Sequence, residues 1–367
     1  MNGRLERLRE AGQSVWIDSL SRDDIKEGNL QGMIDDGVSG VTSNPSIFQK
    51  AISESSLYDE QLEELTREMD DPKEIFLQIA RQDIRDACDL FMPVYEETDR
   101  LDGYVSLEVS PDIAYDTPKT VAEARRLHEM VDRPNLLVKI PATLPGLSAI
   151  EEMISQGKSI NVTLIFSLAR YRAVAGAYIR GLQRLVAAGG DPSGVASVAS
   201  FFVSRVDSEG DGRLEEAGRN DLKGRLAIEN ARLAYAAFGE MFSGENWAFL
   251  ESKGATRQRP LWASTSTKNP DYEDTIYVDN LIGPDTVNTM PLATLEATMD
   301  HAEIQNTLQR QDGAEEARRF MQDLGEAGVD YEDVVEALEK EGVRKFSDSF
   351  DELLDEIKSK GRQLARQ

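Results

Sequence analysis

A lysine embedded in hydrocarbon is the most chemically telling residue of this chain. Leu136-Leu137-Val138-Lys139-Ile140-Pro141 places an amine inside an apolar run, where loss of hydration disfavours the charged form. A neutral amine is a nucleophile. On a ketone it forms a Schiff base, whose cationic nitrogen accepts electrons as the neighbouring carbon–carbon bond breaks. That chemistry requires neither a metal nor an organic cofactor. It does require a base for a hydroxyl proton and a relay for the water and amine protons of imine formation. Asp18 and Glu108, each at the end of another apolar run, are two carboxylates able to divide this work. Asn44, Asn161, Thr163 and Ser200 add amides and hydroxyls, and Arg205 offers a two-pronged fork for a phosphate. Plainer readings stand beside these. The lysine stem can line a core while its head reaches water, the acids can cap helices or form turns, and Arg205 can pair with Asp207 on the surface.

These residues need elements to bring them together. Eight short apolar or β-branched runs fall at 14–18, 38–42, 104–109, 135–140, 160–166, 195–203, 260–264 and 275–281. Stretches with 3.6-residue periodicity, such as 119–131, 168–188 and 213–242, separate them. Continuously apolar strands suit a parallel sheet covered on both faces. Eight repeats predict an α/β fold, a (β/α)8 TIM barrel, with an open doubly wound sheet as the competing pattern. In such barrels reactive side chains sit at the carboxyl ends of strands, which is where the polar residues above fall. From about Thr294 the chain reads as helices rich in Glu, Lys and Arg, with breaks near Gly313, Gly328 and Gly342. Although length alone allows two domains at roughly 150 residues each, this tail is expected to pack on the barrel as additional C-terminal helices of a single domain over 1–367. A separate helical binding module is the alternative.

The balance of 67 acidic against 41 basic residues gives a net charge of −26. A chain this acidic repels phosphate backbones and anionic lipid, so neither nucleic acid nor membrane is an expected partner, and an anionic substrate must meet a locally basic pocket. Cys88 is the single cysteine, which rules out an intrachain disulfide, and its helically spaced apolar neighbours mark it as a small buried hydrophobe. No metal site is expected. His128 and His301 stand in charged helical contexts and are expected on the surface. No run of about 18 uncharged apolar residues occurs, and the charged opening segment is unlike a secretory signal; a cytoplasmic monomer or homodimer is expected. Gly157-Lys158-Ser159 lacks the glycine a P-loop needs. The segment DSEGDGRLEEAG from Asp207 imitates a calcium loop but ends on Gly218 where a bidentate Glu belongs, so it is expected to be a solvated acidic loop.

Taken together, GVTSNPSIF, VSLEV, LLVKIPAT, SINVTLIFS and SFFVSR resemble, in order and spacing, the successive signatures of the transaldolases, over roughly 15–281. The longer acidic tail is similar to that of the larger bacterial members. The resemblance implies a barrel that transfers a dihydroxyacetone unit from sedoheptulose 7-phosphate to glyceraldehyde 3-phosphate, yielding erythrose 4-phosphate and fructose 6-phosphate in the non-oxidative pentose phosphate pathway. It implies sugar-phosphate substrates and no cofactor. By this likeness Lys139 is the Schiff-base lysine, Asp18 the acid/base at the substrate hydroxyl, and Glu108 with Thr163 the pair that positions a catalytic water. Asn44, Asn161 and Ser200 hold substrate hydroxyls and the imine region, while Arg205 binds phosphate. After the seventh strand the family's Ala-Ser-x-Arg-Asn stretch is replaced by Ala263-Ser264-Thr265-Ser266-Thr267-Lys268-Asn269. Ser264 and Lys268 are the substrate-binding candidates there, Lys268 supplying a point charge in place of a guanidinium fork. Three other readings compete: an aldolase that releases free dihydroxyacetone, a pyridoxal phosphate enzyme using the same lysine, and a catalytically silent barrel that binds sugar phosphates or proteins.

Overall fold

The computed structural model describes residues 2–364. Eight parallel strands close on one another in sequence order. They are β1 Gln13–Ile17, β2 Gly40–Val41, β3 Tyr104–Glu108, β4 Leu136–Pro141, β5 Ile160–Ile165, β6 Ser197–Phe202, β7 Arg259–Ala263 and β8 Thr286–Met290. Closure is made by β8 against β1, in register from Gln13 opposite Thr286 to Ile17 opposite Met290. With helices between the strands, this is a (β/α)8 barrel carrying extra C-terminal helices.

Alternation within each strand divides the protein into two cores. Val15, Ile17, Leu136, Val138, Ile140 and Trp262 point outward into the large apolar layer beneath the helices. Their neighbours Trp16, Tyr104, Leu137, Val198, Leu261 and Val287 form a separate buried cluster that fills the amino-terminal half of the barrel. Interior residues of such barrels pack as layers rather than lining a pore. Gly40 of β2 is part of this fit, because a Cβ there would lie 2.6 Å from the Trp16 indole.

Five sequence expectations are corrected. The eighth strand is not at 275–281, where the chain instead forms the short helix Ile276–Asn280. The true β8, TVNTM, follows a turn through Gly283, Pro284 and the left-handed Asp285 (φ 59°); its polar Thr and Asn residues mask it from a search for apolar runs. The stretch 213–242 is two helices, Ser204–Glu216 and Leu226–Met241, separated by Gly218 and Gly224 at φ 71° and 73°, a conformation glycine adopts without steric cost. The expected acidic loop from Asp207 lies mostly within the first of these helices, with Asp207 and Asp211 buried. His128 is half-buried, with Nε2 3.1 Å from the Ser159 carbonyl oxygen, and burial pulls its pKa down to about 4.

After β8 the described residues form the helices Leu292–His301, Gly313–Glu326 and Tyr331–Leu364. Gly313 and Gly328 mark boundaries as expected, but Gly342 runs inside the last helix. It permits close approach there: an added Cβ would lie 3.2 Å from Phe166 and 3.4 Å from Leu164. Cys88 is buried, as expected, and burial raises its thiol pKa. Among the described residues no helix is long and apolar enough to cross a membrane. Because Gly40 abuts Trp16 with no slack, Gly40→Ala should destabilise the fold by about 1–3 kcal/mol through overpacking. A lowered chemical-denaturation midpoint with unchanged slope is the expected reading.

Candidate active site

The strands end in a cleft of about 420 Å³ at the carboxyl face of the barrel. Register fixes its floor. Glu108 of β3 is level with Lys139 of β4, and Lys139 is level with Asn161 of β5. Lys139 is only 7% exposed. Its Nζ lies 3.2 Å from Glu108 Oε2 and donates to the Ser43 carbonyl oxygen at 3.1 Å. Ser43 is held in turn by its own hydroxyl, which donates to Ser106 O at 2.6 Å.

Asp18 follows β1 and enters the cleft beside this pair. Thr42 donates to Asp18 Oδ1 at 2.7 Å, and Thr42 and Thr289 hydroxyls lie 2.7 Å apart. Burial raises the Asp18 pKa, opposed by the Lys139 charge and the Thr42 hydrogen bond. Burial likewise raises that of Glu108, opposed by Lys139 and reinforced by the negative charge of Asp18. Two carboxyls with increased proton affinity flank one amine. Such a group can take protons and return them within a catalytic cycle.

The remaining candidates divide into cleft wall and support. Thr163, Ser200, Asn44, Arg205, Ser264 and Lys268 all line the cleft. Thr163 lies where β5 departs from regular pairing: its neighbour Leu164 has φ 60°, and the register shifts between Val162 and Ile165. Bulges of this kind re-aim side chains near active sites. Asn161 is fully buried below the cleft, where Nδ2 donates to Ser106 Oγ at 3.0 Å and Oδ1 accepts from Ser200 Oγ at 2.7 Å. Asn44 also caps the helix Pro45–Glu54 by accepting from Ile47 N at 3.0 Å. The cap reading and the cleft reading therefore both hold for it.

Arg205 does not pair with Asp207. Its guanidinium lies over the Phe202 ring, 5.4 Å from the centroid, and burial lowers its pKa. Ser264 has φ 57°, and its hydroxyl is 2.9 Å from that of Ser204. Lys268 is exposed at the rim, its Nζ 2.8 Å from Ser266 Oγ. Sequence reasoning missed the cleft's roof. Gly342, Lys345, Phe346 and Ser349 of the last helix line it, and Ser349 is hydrogen-bonded to Ser46 at 2.9 Å. Their i, i+3, i+4, i+7 spacing signals one helix face but does not say what that face covers. A larger open cleft of about 760 Å³ lies at the opposite end, lined by Met92, His128, Arg133 and Lys158 among others. Its amine, Lys158, forms no ion pair with the Glu96, Asp99 or Asp132 that also line it, so volume alone does not mark the chemistry.

Residues 15–357 match the model of the family described as Transaldolase/Fructose-6-phosphate aldolase. The chain belongs to this family. The matched span runs beyond 281 into the last helix, so the family's pattern includes the segment that roofs the cleft. Transaldolases of Parafrankia sp. (strain EAN1pec), Saccharopolyspora erythraea and Mycolicibacterium smegmatis are 53%, 51% and 50% identical to it, over 98%, 97% and 96% of each chain. Membership of this transaldolase family brings sugar phosphates as substrates, in keeping with the cations Arg205, Lys268 and Lys345 around the cleft of so acidic a chain. Thr42 donates a hydrogen bond to one of the two acids in that cleft. Thr42→Val removes a hydrogen bond that lowers the Asp18 pKa, so the acidic limb of the pH profile of kcat/KM should move to higher pH. An unmoved limb would mean the hydroxyl does not set the ionisation of Asp18.

Proposed function

We infer that the chain is a transaldolase in which Lys139 carries the three-carbon fragment as a Schiff base. The observation that carries this reading is the buried Lys139 amine, 3.2 Å from Glu108 and within the electrostatic reach of Asp18 at the carboxyl end of the barrel. Transfer of its proton to Glu108 frees the amine to attack the C2 carbonyl of sedoheptulose 7-phosphate. Loss of water from the carbinolamine gives the iminium, with Glu108 and Thr163 positioning the water that leaves and later returns. Asp18 then takes the proton of the C4 hydroxyl. The C3–C4 bond breaks, its electrons pass to the iminium, and erythrose 4-phosphate departs.

The enamine attacks the aldehyde carbon of glyceraldehyde 3-phosphate, and Asp18 returns its proton to the new hydroxyl oxygen. Hydrolysis of the iminium releases fructose 6-phosphate and restores Lys139. Asn44 and Ser200 hold substrate hydroxyls, with Asn161 fixing Ser200 from below. Arg205, Ser264 and Lys268 take the phosphate. The tail from about 294 acts as part of the same domain, a reading supported by Lys345, Phe346 and Ser349 in the cleft wall.

Borohydride reduction in the presence of fructose 6-phosphate, followed by peptide mass mapping, should place the adduct on Lys139; an adduct elsewhere overturns the reading. Lys139→Ala should lower transfer on the order of a thousandfold or more, because the covalent route is lost. Asp18→Asn should slow bond cleavage far more than imine trapping. Equal loss of the two would remove Asp18 from the cleavage step. Free dihydroxyacetone released as fast without an acceptor as product forms with one would make the enzyme an aldolase.

A further inference from the structure

The phosphate candidates come from two separate parts of the chain. Arg205 sits in the first turn of the helix Ser204–Glu216, and Lys268 sits on the long segment that follows β7. The root of that segment is tied to the helix start: Ser204 N donates to Ser264 O at 3.0 Å, and the two hydroxyls are 2.9 Å apart. Beyond Lys268 the segment is exposed for several residues. Something else must fix its far side.

Two carboxylates on the same helix do so in the same way. Asp207 and Asp211 are one turn apart, 2% and 9% exposed. Asp207 accepts from Ala227 N at 2.7 Å and from the Tyr277 hydroxyl at 2.8 Å. Asp211 accepts from Gly224 N at 2.8 Å and from the Tyr272 hydroxyl at 2.7 Å. Each thus spends one oxygen on a backbone N–H, Asp207 at the start of the helix Leu226–Met241 and Asp211 in the connection before it, and one on a phenol of the Lys268 segment. The Tyr272 ring is seated against Gly224, where an added Cβ would come within 2.9 Å of Cζ. Nothing in these four bonds touches the cleft. Burial pushes the Asp207 pKa up to about 7, so its bond to Tyr277 gains the strength of a charged acceptor as pH rises above neutrality, and positions i and i+4 share a helix face. The acidic stretch that imitates a calcium loop therefore has a different use.

We propose that Asp207–Tyr277 and Asp211–Tyr272 are a paired clasp that positions Lys268 relative to Arg205, making these four residues positioning residues for phosphate recognition. The inference rests on Arg205 and Lys268 being the phosphate contacts. One helix grips the segment at three points, Ser264, Tyr272 and Tyr277, alongside the Thr265 bond to Asn288 of β8 and the Asp274 contact with His301. Releasing the latter two leaves Lys139, Asp18 and Glu108 in place while loosening the rim.

The test is Tyr272→Phe, Tyr277→Phe and the double variant, which keep the rings and delete the two hydroxyl donors. Initial rates are measured with fructose 6-phosphate at saturation as donor and either erythrose 4-phosphate or unphosphorylated D-glyceraldehyde as acceptor. The double variant should raise KM for erythrose 4-phosphate roughly tenfold, with kcat and kcat/KM for D-glyceraldehyde within about twofold of wild type. In a Lys268→Met background the same two substitutions should add little further to that KM, since coupled residues are not additive. Equal loss on both acceptors, an unchanged KM, or full additivity with Lys268→Met would overturn the clasp. Borohydride trapping of the wild type separates the two levels. Failure to trap Lys139 removes the Schiff-base reading; an unchanged KM for erythrose 4-phosphate in Lys268→Met alone removes the phosphate reading on which the clasp rests; and a raised KM in Lys268→Met with equal acceptor losses in the tyrosine variants removes only the clasp. A thermal melt of each variant identifies general unfolding, for which Tyr272→Phe alone, leaving the Asp211 bond to Gly224 N and the Asp207–Tyr277 bond intact, is the milder second probe and should give an intermediate KM.

Discussion

One buried charge pair organises this molecule's chemistry. An ammonium and a carboxylate 3.2 Å apart inside a barrel cost desolvation that their attraction offsets only if every other polar atom nearby is satisfied. The surroundings meet that demand. The Ser43 carbonyl accepts a hydrogen bond from Lys139, Thr42 donates to Asp18, and Ser106, Asn161 and Ser200 form a hydrogen-bonded chain across three strands beneath the cleft. Those contacts explain why inward positions that are apolar at the base of the barrel turn polar near its top. The lower half supplies stability, and the upper half accepts the strain of holding ionisable groups.

Much of this was legible in the sequence because a parallel strand covered on both faces must be apolar, and a lysine or acid within one is therefore conspicuous. Lys139, Glu108 and Asp18 stand out on that ground before any likeness is considered. Seven strands were legible for the same reason. The eighth was not, because Thr286 and Asn288 have partners that only the folded chain supplies: Gln13 Nε2 donates to Thr286 Oγ1, and Thr265 Oγ1 donates to Asn288 Oδ1. A polar residue satisfied across 273 positions of sequence looks, locally, like a loop residue.

Long-range packing also hid the roof of the cleft and the burial of Asp207 and Asp211. Helix periodicity shows that Gly342, Lys345, Phe346 and Ser349 share a face, but their target, the ends of β5 and the helix after β2, is remote in the chain. Acidic residues spaced by four read equally well as a solvated face or as a pair of buried acceptors. The phenols that decide between these lie more than sixty residues onward. The family match was decisive where local pattern was silent, since it extends across the terminal helix.

The apolar plug of Trp16, Tyr104, Leu137, Val198, Leu261 and Val287 has a kinetic meaning. With the base of the cylinder sealed, there is one doorway, and both sugars must use it. If Lys139 carries the fragment, as proposed, the departing aldose would have to vacate the vestibule before its successor enters. On the proposed Schiff-base reading, a double-displacement order would follow from that single opening.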